Sequence, residues 1–280
     1  MQYAAMLRAT KQWLFLPMVL ASAPALANPG AWTLQEGSWQ IIHNLSYYHS
    51  DTRFNAFGQK ITQPTYTKRE YNPYIEYGLF DHTTIGANLF LQTASSQGEQ
   101  NAGLADTELF VRSRLYKLNP KWKQSELVFS VQPLVKLPGL FDGNDQPKIG
   151  SDDADLALSL FAGHSFNYFK QVTFSEIELQ YRHRLGTPND QVKINYTLGQ
   201  AIDHQWHLLM QSFNTISTNT VRGAAFTQTS QDDSDVTKLQ LSGVYHYNQN
   251  VSFQAGAFMD VYGRNTGQGK GVLLSVWQRF

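Results

Sequence analysis

Apolar and polar residues alternate along most of this chain with a period of two, the spacing of a strand that has one apolar face. In 39–49, Trp39, Ile41, Leu45 and Tyr47 share one face, and Gln40, Asn44 and Ser46 share the other. At 66–77, Tyr71, Ile75 and Tyr77 oppose Lys68, Glu70, Asn72 and Glu76. The alternation recurs at 83–93, 106–115, 125–137, 154–164, 172–184, 191–201, 206–216, 236–247 and 251–262. It closes at 271–280, where Val272, Leu274, Val276 and Phe280 align, so twelve strands are predicted. Two places blur the pattern. Pro73 cannot donate to a ladder, which predicts a bulge or irregularity in the second strand. In 206–216, Trp206, Leu208 and Met210 compete with Leu209 and Phe213 for the apolar face.

The connections sort by length. Those after odd strands are mostly long and polar (50–65, 94–105, 138–153, 217–235), and those after even strands mostly short (78–82, 202–205, 248–250). Short turns at one end, long loops at the other and an even strand number are the habit of bacterial outer-membrane barrels. A strand ending on Phe280 would also leave an open edge unless it paired with the first strand. Ten alternating residues match the length a tilted strand needs to cross a bilayer. The expected fold is therefore all-β: a transmembrane antiparallel up-and-down β-barrel of about twelve strands spanning 28–280. Its apolar face would meet lipid and its polar face a lumen, with 39–49 closing on 271–280.

The N-terminus adds a compartment. Arg8 and Lys11 precede an apolar run from Trp13 to Leu20 and an Ala25-Leu26-Ala27 cleavage pattern, so 1–27 reads as a secretory signal peptide. Its removal takes two of the 22 basic residues and none of the 22 acidic ones, leaving no basic stripe and no expectation of nucleic-acid binding. Residues 28–37 read as a lead-in too short to form a plug. No run of 18 apolar residues follows Ala27, so a helical span is not expected. The absence of cysteine excludes disulfides and thiolate metal sites.

Several phrases resemble a known family. Asn72-Pro73-Tyr74-Ile75-Glu76-Tyr77-Gly78-Leu79-Phe80-Asp81-His82-Thr83-Thr84-Ile85-Gly86 looks like a strand–turn–strand phrase common in outer-membrane barrels. Gly103-Leu104-Ala105-Asp106-Thr107-Glu108-Leu109 and Pro133-Leu134-Val135-Lys136-Leu137-Pro138-Gly139 follow in order. Together they resemble the outer-membrane transporter family associated with the meta-pathway of phenol degradation. Ala105 stands where that family shows a second glycine, and Pro138-Gly139 lacks the intervening threonine. Phe280 resembles the C-terminal signal read by the outer-membrane assembly machinery, although Gln278 departs from the aromatic often found two residues earlier. The resemblance implies an outer-membrane location and a barrel, and it transfers no catalytic residue.

Candidate chemistry is sparse. No histidine is followed two positions later by serine, as barrel phospholipases require. Asp81-His82 and Asp203-His204 fall in predicted turns, where such residues cap backbone groups. The acidic segments 142–145, 151–155 and 231–235 offer hard oxygen ligands for divalent cations but read as solvated loops. No catalytic, cofactor or metal site is expected, and the chain is not expected to be an enzyme. Inward-facing charges carry more weight: Lys68, Glu70, Glu76, Glu108, Arg112, Arg114, Glu126, Lys136, Glu178, Arg182, Lys193, Lys238, Asp260, Arg264 and Arg279 would all line one lumen. Balanced signs favour mutual pairing with weak ion selectivity. The expectation is a monomer in the cell outer membrane, in contact with its lipids and lipopolysaccharide, that passes small solutes passively, apolar or aromatic ones among them. The rival readings are a surface factor acting through external loops and, behind it, a barrel hydrolase.

Overall fold

A computed structural model describes residues 30–118, 125–140, 146–168, 171–186, 188–218 and 234–280. The expected signal peptide and the acidic segment 142–145 lie outside them, as does most of 231–235. Twelve strands form one closed antiparallel barrel in which every strand pairs with its sequence neighbours and the last pairs with the first. They are β1 (Trp39–Phe54), β2 (Lys60–Phe80), β3 (Thr83–Ser96), β4 (Glu99–Leu118), β5 (Glu126–Leu140) and β6 (Asp155–Tyr168). The second half comprises β7 (Gln171–Arg184), β8 (Gln191–Ala201), β9 (Trp206–Ser217), β10 (Asp235–His246), β11 (Val251–Arg264) and β12 (Thr266–Arg279). The closing seam runs from Gln40↔Arg279 to Phe54↔Thr266. Seam closure satisfies the edge backbone groups that lipid could not.

The rim where β1 begins and β12 ends is called proximal here, and the opposite rim distal. Distal connections differ from expectation. Residues 50–65 and 94–105 are not long loops, because the strands run on through them to tight turns. Asn55 Oδ1 accepts the Phe57 and Gln59 backbone N–H groups at 2.9 and 3.0 Å, which closes the first turn. Gln97 and Gly98 have φ of 53° and 88°, the positive pair a two-residue primed hairpin turn demands. Polar and small residues fill most of these extensions, so they carry no apolar face for a pattern to register.

Pro73 gives an interruption without a bulge. Ladder pairs Tyr71↔Leu91 and Tyr74↔Asn88 keep one register, and no pair lies between them. Asn72 Nδ2 instead donates to Leu89 O at 2.6 Å, bridging the gap with a side chain. In β9 the ambiguity resolves: Trp206 and Met210 face out, and Leu209 is fully buried in the interior.

Leu45, Leu158, Leu160, Leu179, Leu241 and Leu274 are each about half exposed on the outer wall. The inner wall carries Gln40, Glu76, Arg112, Gln132, Lys136 and Asp155, all buried. An apolar outside around a polar inside is the reverse of a water-soluble barrel and suits a bilayer.

Candidate functional site: the lumen

A strap enters the lumen at the proximal end. Residues 28–37 read in the sequence as a lead-in too short to form a plug, yet 30–36 fold back inside the barrel before β1 begins. Ala31 N–H donates to Glu176 Oε2 at 2.6 Å, Leu34 N–H to Thr84 Oγ1 at 2.8 Å and Glu36 N–H to Asp81 Oδ1 at 3.1 Å. The Ser130 hydroxyl donates to Ala31 O, and the Trp32 indole N–H to Glu126 Oε1 at 2.9 Å. Lumen groups thus supply the partners that a seven-residue segment without secondary structure would otherwise lack. Space matters as well. A Cβ at Gly163 would stand 2.7 Å from Ala31 Cβ, and one at Gly78 would overlap the Gln35 carbonyl.

Arg112 is the hub beside the strap. Its guanidinium donates to Glu76 Oε1 (2.8 Å), Gln132 Oε1 (3.0 Å), Tyr74 OH (3.1 Å) and Trp32 O (3.3 Å). It also lies 5.3 Å from the Phe110 ring centroid and 5.5 Å from that of Phe161. Gln40 extends the network, donating to Glu76 Oε2 at 3.4 Å and accepting from Arg279 Nε at 3.0 Å. Arg114 and Glu126 border a proximal chamber of about 710 Å³ together with Trp32 and Phe174.

Above this level comes a belt that alternation did not reveal. Ile42, Tyr74, Phe110, Leu134, Ala157, Phe174, Leu209, Val244 and Trp277 form one buried apolar cluster, and Trp32 of the strap packs against it. Eight of the nine sit between inward polar residues: Ile42 between Gln40 and Asn44, Phe110 between Glu108 and Arg112, Trp277 between Ser275 and Arg279. The sequence signal is there in retrospect, as an apolar residue on the polar parity of strand after strand. It escapes because each strand read alone shows only one or two exceptions, such as Val128 and Leu134 in β5.

On the distal side of the belt the charges pair again. Arg182 Nη2 meets Glu108 Oε1 at 2.6 Å, and Lys136 Nζ meets Asp155 Oδ2 at 2.8 Å, with Arg182 and Arg184 beside the same carboxylate. Asp155, which the sequence groups with an acidic loop, begins β6 inside this cluster. Glu178 accepts from Ser159 Oγ (2.7 Å) and Asn195 Nδ2 (2.8 Å), and Lys193 stands near Glu108 and Glu178. A distal vestibule of about 890 Å³ is bordered by Tyr48, Tyr66, Lys68, Glu70, Lys238 and Asp260. Lys68 pairs with Glu70 at 3.1 Å, Lys238 Nζ lies 5.0 Å from the Phe258 ring, and Tyr48 OH donates to Asp260 Oδ2 at 2.8 Å. Arg264 is set apart at the distal rim, where two of its nitrogens meet Asp235 Oδ2. Residues 146–154 fold into this mouth: Ile149 is buried with Ala94 and Ala105, and Ser151 N–H donates to Asp106 Oδ1 at 3.1 Å.

The turn residues do local work. Asp203 Oδ1 accepts the Gln205 and Trp206 N–H groups at 2.7 and 2.8 Å, which holds its carboxyl below the usual carboxylate range. Phe280 is exposed at the proximal rim, and its backbone exchanges two 3.0 Å hydrogen bonds with Trp39. Among the described residues no group of three or more His, Asp or Glu side chains could hold a metal ion.

No protein-family model matches the chain, and no curated protein sequence does either. Solved structures do. The fold is similar to the COG4313 outer membrane channel from Pseudomonas putida F1, with a TM-score of 0.69 at 15% identity, over 91% of this chain and 100% of that one. More distant likeness extends to the translocator domain of the autotransporter NalP from Neisseria meningitidis (TM-score 0.45, 13% identity, 88% of this chain and 90% of that one). The NanC porin stands similarly at 0.47 and 9%, over 84% and 98%. At 15% identity the likeness to the first of these concerns fold alone, a closed antiparallel outer-membrane-type barrel.

Proposed function

We propose that this barrel is an outer-membrane channel through which small solutes diffuse passively, with apolar and aromatic ones favoured. The observation that carries the reading is the apolar belt between two polar compartments. A water-filled pore for ions or sugars would gain nothing from Phe110, Leu134, Leu209 and Trp277 on its inner wall, since apolar constrictions oppose wetting. An aromatic solute could instead exchange contacts along them after entering through the vestibule that Tyr48 and Tyr66 border. The paired charges hold the wall in shape and, among the described residues, leave no single-signed ring to select ions. In this reading the protein catalyses no reaction, works as a monomer surrounded by outer-membrane lipid and lipopolysaccharide, and is inserted by the assembly machinery through β12. The meta-pathway resemblance is compatible with such a solute class.

The test is flux through the refolded protein in liposomes, comparing a small neutral aromatic with a sugar of similar size, alongside single-channel conductance in planar bilayers. Faster aromatic flux with small ion conductance is expected. No flux of either solute would overturn the channel reading, and sugar flux equal to aromatic flux would overturn the role given to the belt.

A further inference from the structure

We propose that His207 and His246 form a two-imidazole site for a divalent transition-metal ion of the copper or nickel type, at the proximal end of the lumen. The inference is independent of solute passage, because it rests on two side chains and a third that orients them.

His207 opens β9 and His246 ends β10, on adjacent strands whose register pairs Val244 with His207. Both share the parity of the inward residues Leu209 and Val244, so both imidazoles face the lumen. His246 Nε2 lies 2.9 Å from His207 Nδ1, with the ring planes 86° apart. On the next strand, Ser252 Oγ lies 2.8 Å from His246 Nδ1. When that nitrogen donates its hydrogen to Ser252, Nε2 is left with its lone pair directed at His207. A hydrogen-bonded partner on the far ring nitrogen is the usual companion of a ligating histidine, since it fixes tautomer and ring orientation.

Without metal, the two rings share one proton across the 2.9 Å gap. Admitting a cation requires that His207 carry its hydrogen on Nε2 instead of Nδ1, a tautomer exchange with no net proton release, and that both rings turn so that lone pairs facing each other across 2.9 Å converge on a point to one side. Two lone pairs then face the same space. Bonds of about 2.0 Å at a right angle place two nitrogens about 2.8 Å apart, whereas a tetrahedral angle places them at about 3.3 Å. The spacing therefore suits tetragonal copper or nickel better than tetrahedral zinc, and imidazole is a good ligand for both. The remaining coordination positions stay open to water from the lumen, so the site suits exchange more than storage.

The test is titration of the refolded, full barrel with Cu²⁺, followed by calorimetry and electron paramagnetic resonance. Hyperfine coupling from two imidazole nitrogens is expected on one bound ion. His207→Asn and His246→Gln keep a hydrogen-bonding group in place of each ligand, and each should weaken binding by at least about tenfold, given that losing even an outer-shell partner costs 10–100-fold. Six other histidines remain as internal controls for adventitious binding. Binding as tight in the double variant as in the parent would overturn the site, as would a signal from one nitrogen or none. Heat-modifiable gel mobility reports whether each variant is folded, and if one is not, the nitrogen count in the parent protein decides.

Discussion

Arg112 Nη1 lies 2.8 Å from Glu76 Oε1 inside the barrel, and the two side chains are 1% and 4% exposed. Removing one partner strands the other charge where water cannot replace it. Glu76→Ala should therefore cost about 3–5 kcal/mol. Lys68–Glu70 is a comparison within the same lumen, at 3.1 Å with side chains 29% and 17% exposed, and vestibule water can compensate there. Glu70→Ala should cost no more than about 1 kcal/mol. Denaturant unfolding of the refolded barrel in detergent measures both; equal losses would show that burial does not separate the two pairs.

The different settings of these pairs mark what the sequence could and could not convey. Period-two alternation located all twelve strands, because each outward residue faces lipid whatever the partner strand is, and the open edge that Phe280 would otherwise leave pointed to the β1–β12 closure. Inside, neighbours from distant parts of the chain decide. Alternation places Glu76 and Arg112 on polar faces, but their meeting depends on barrel curvature across β2 to β4. Tyr74, Phe110 and Trp277 sit at polar parity, so local reading treats each as an exception when together they make a belt. Ala31 and Trp32 lack any periodicity, and their place in the lumen depends on Glu176, which is 145 positions from Ala31. Leu209 was ambiguous because apolar residues occupy both faces of β9, one for lipid and one for the belt.

The strap is held by hydrogen bonds and by the space left at Gly163, which makes it displaceable by a single side chain. The chain lacks cysteine, so Ala31→Cys introduces a unique thiol at a position that is fully buried. That thiol should react slowly with a water-soluble maleimide. Adding Gly163→Leu should drive Ala31 and Trp32 from their seats and raise the reaction rate tenfold or more, equivalent to about 1.4 kcal/mol of lost docking. Single-channel conductance should rise with it. An unchanged labelling rate would mean that the strap holds its place without that space.

Asp190, in the distal connection before β8, offers a pH test outside the membrane. Its carboxylate accepts from Tyr181 OH at 2.5 Å, from Arg184 N–H at 2.9 Å and interacts with His183 Nδ1 at 3.0 Å. These bonds, Tyr181 first, hold its carboxyl down at about 2. An unfolded aspartate titrates near about 3.9. The folded value is the lower one, so the stabilisation is complete above the unfolded value and disappears as pH falls from about 4 to about 2. Carboxyl carbon shifts from NMR should show Asp190 ionised at pH 3, and Tyr181→Phe should move its titration upward. A midpoint near the ordinary value in the parent would remove Tyr181 from this role.

Trp277 tests the belt itself. It is the largest fully buried side chain among the described residues, placed between Ser275 and Arg279 on the lumen face of β12. Trp277→Ala removes an indole from the constriction, and the space created opens toward the hydrated compartments on either side. Ion conductance should rise several-fold, and the preference for aromatic over sugar solutes should fall as the apolar ring breaks. Stability should drop by about 3 kcal/mol, the lower end for loss of a buried aromatic, because water can enter the space. Phe253 supplies the control: it is an aromatic on the outer wall, 45% exposed. Phe253→Ala changes lipid contact without touching the lumen, so its conductance and solute preference should match the parent. Conductance that responds equally to both substitutions, or to neither, would place the constriction elsewhere.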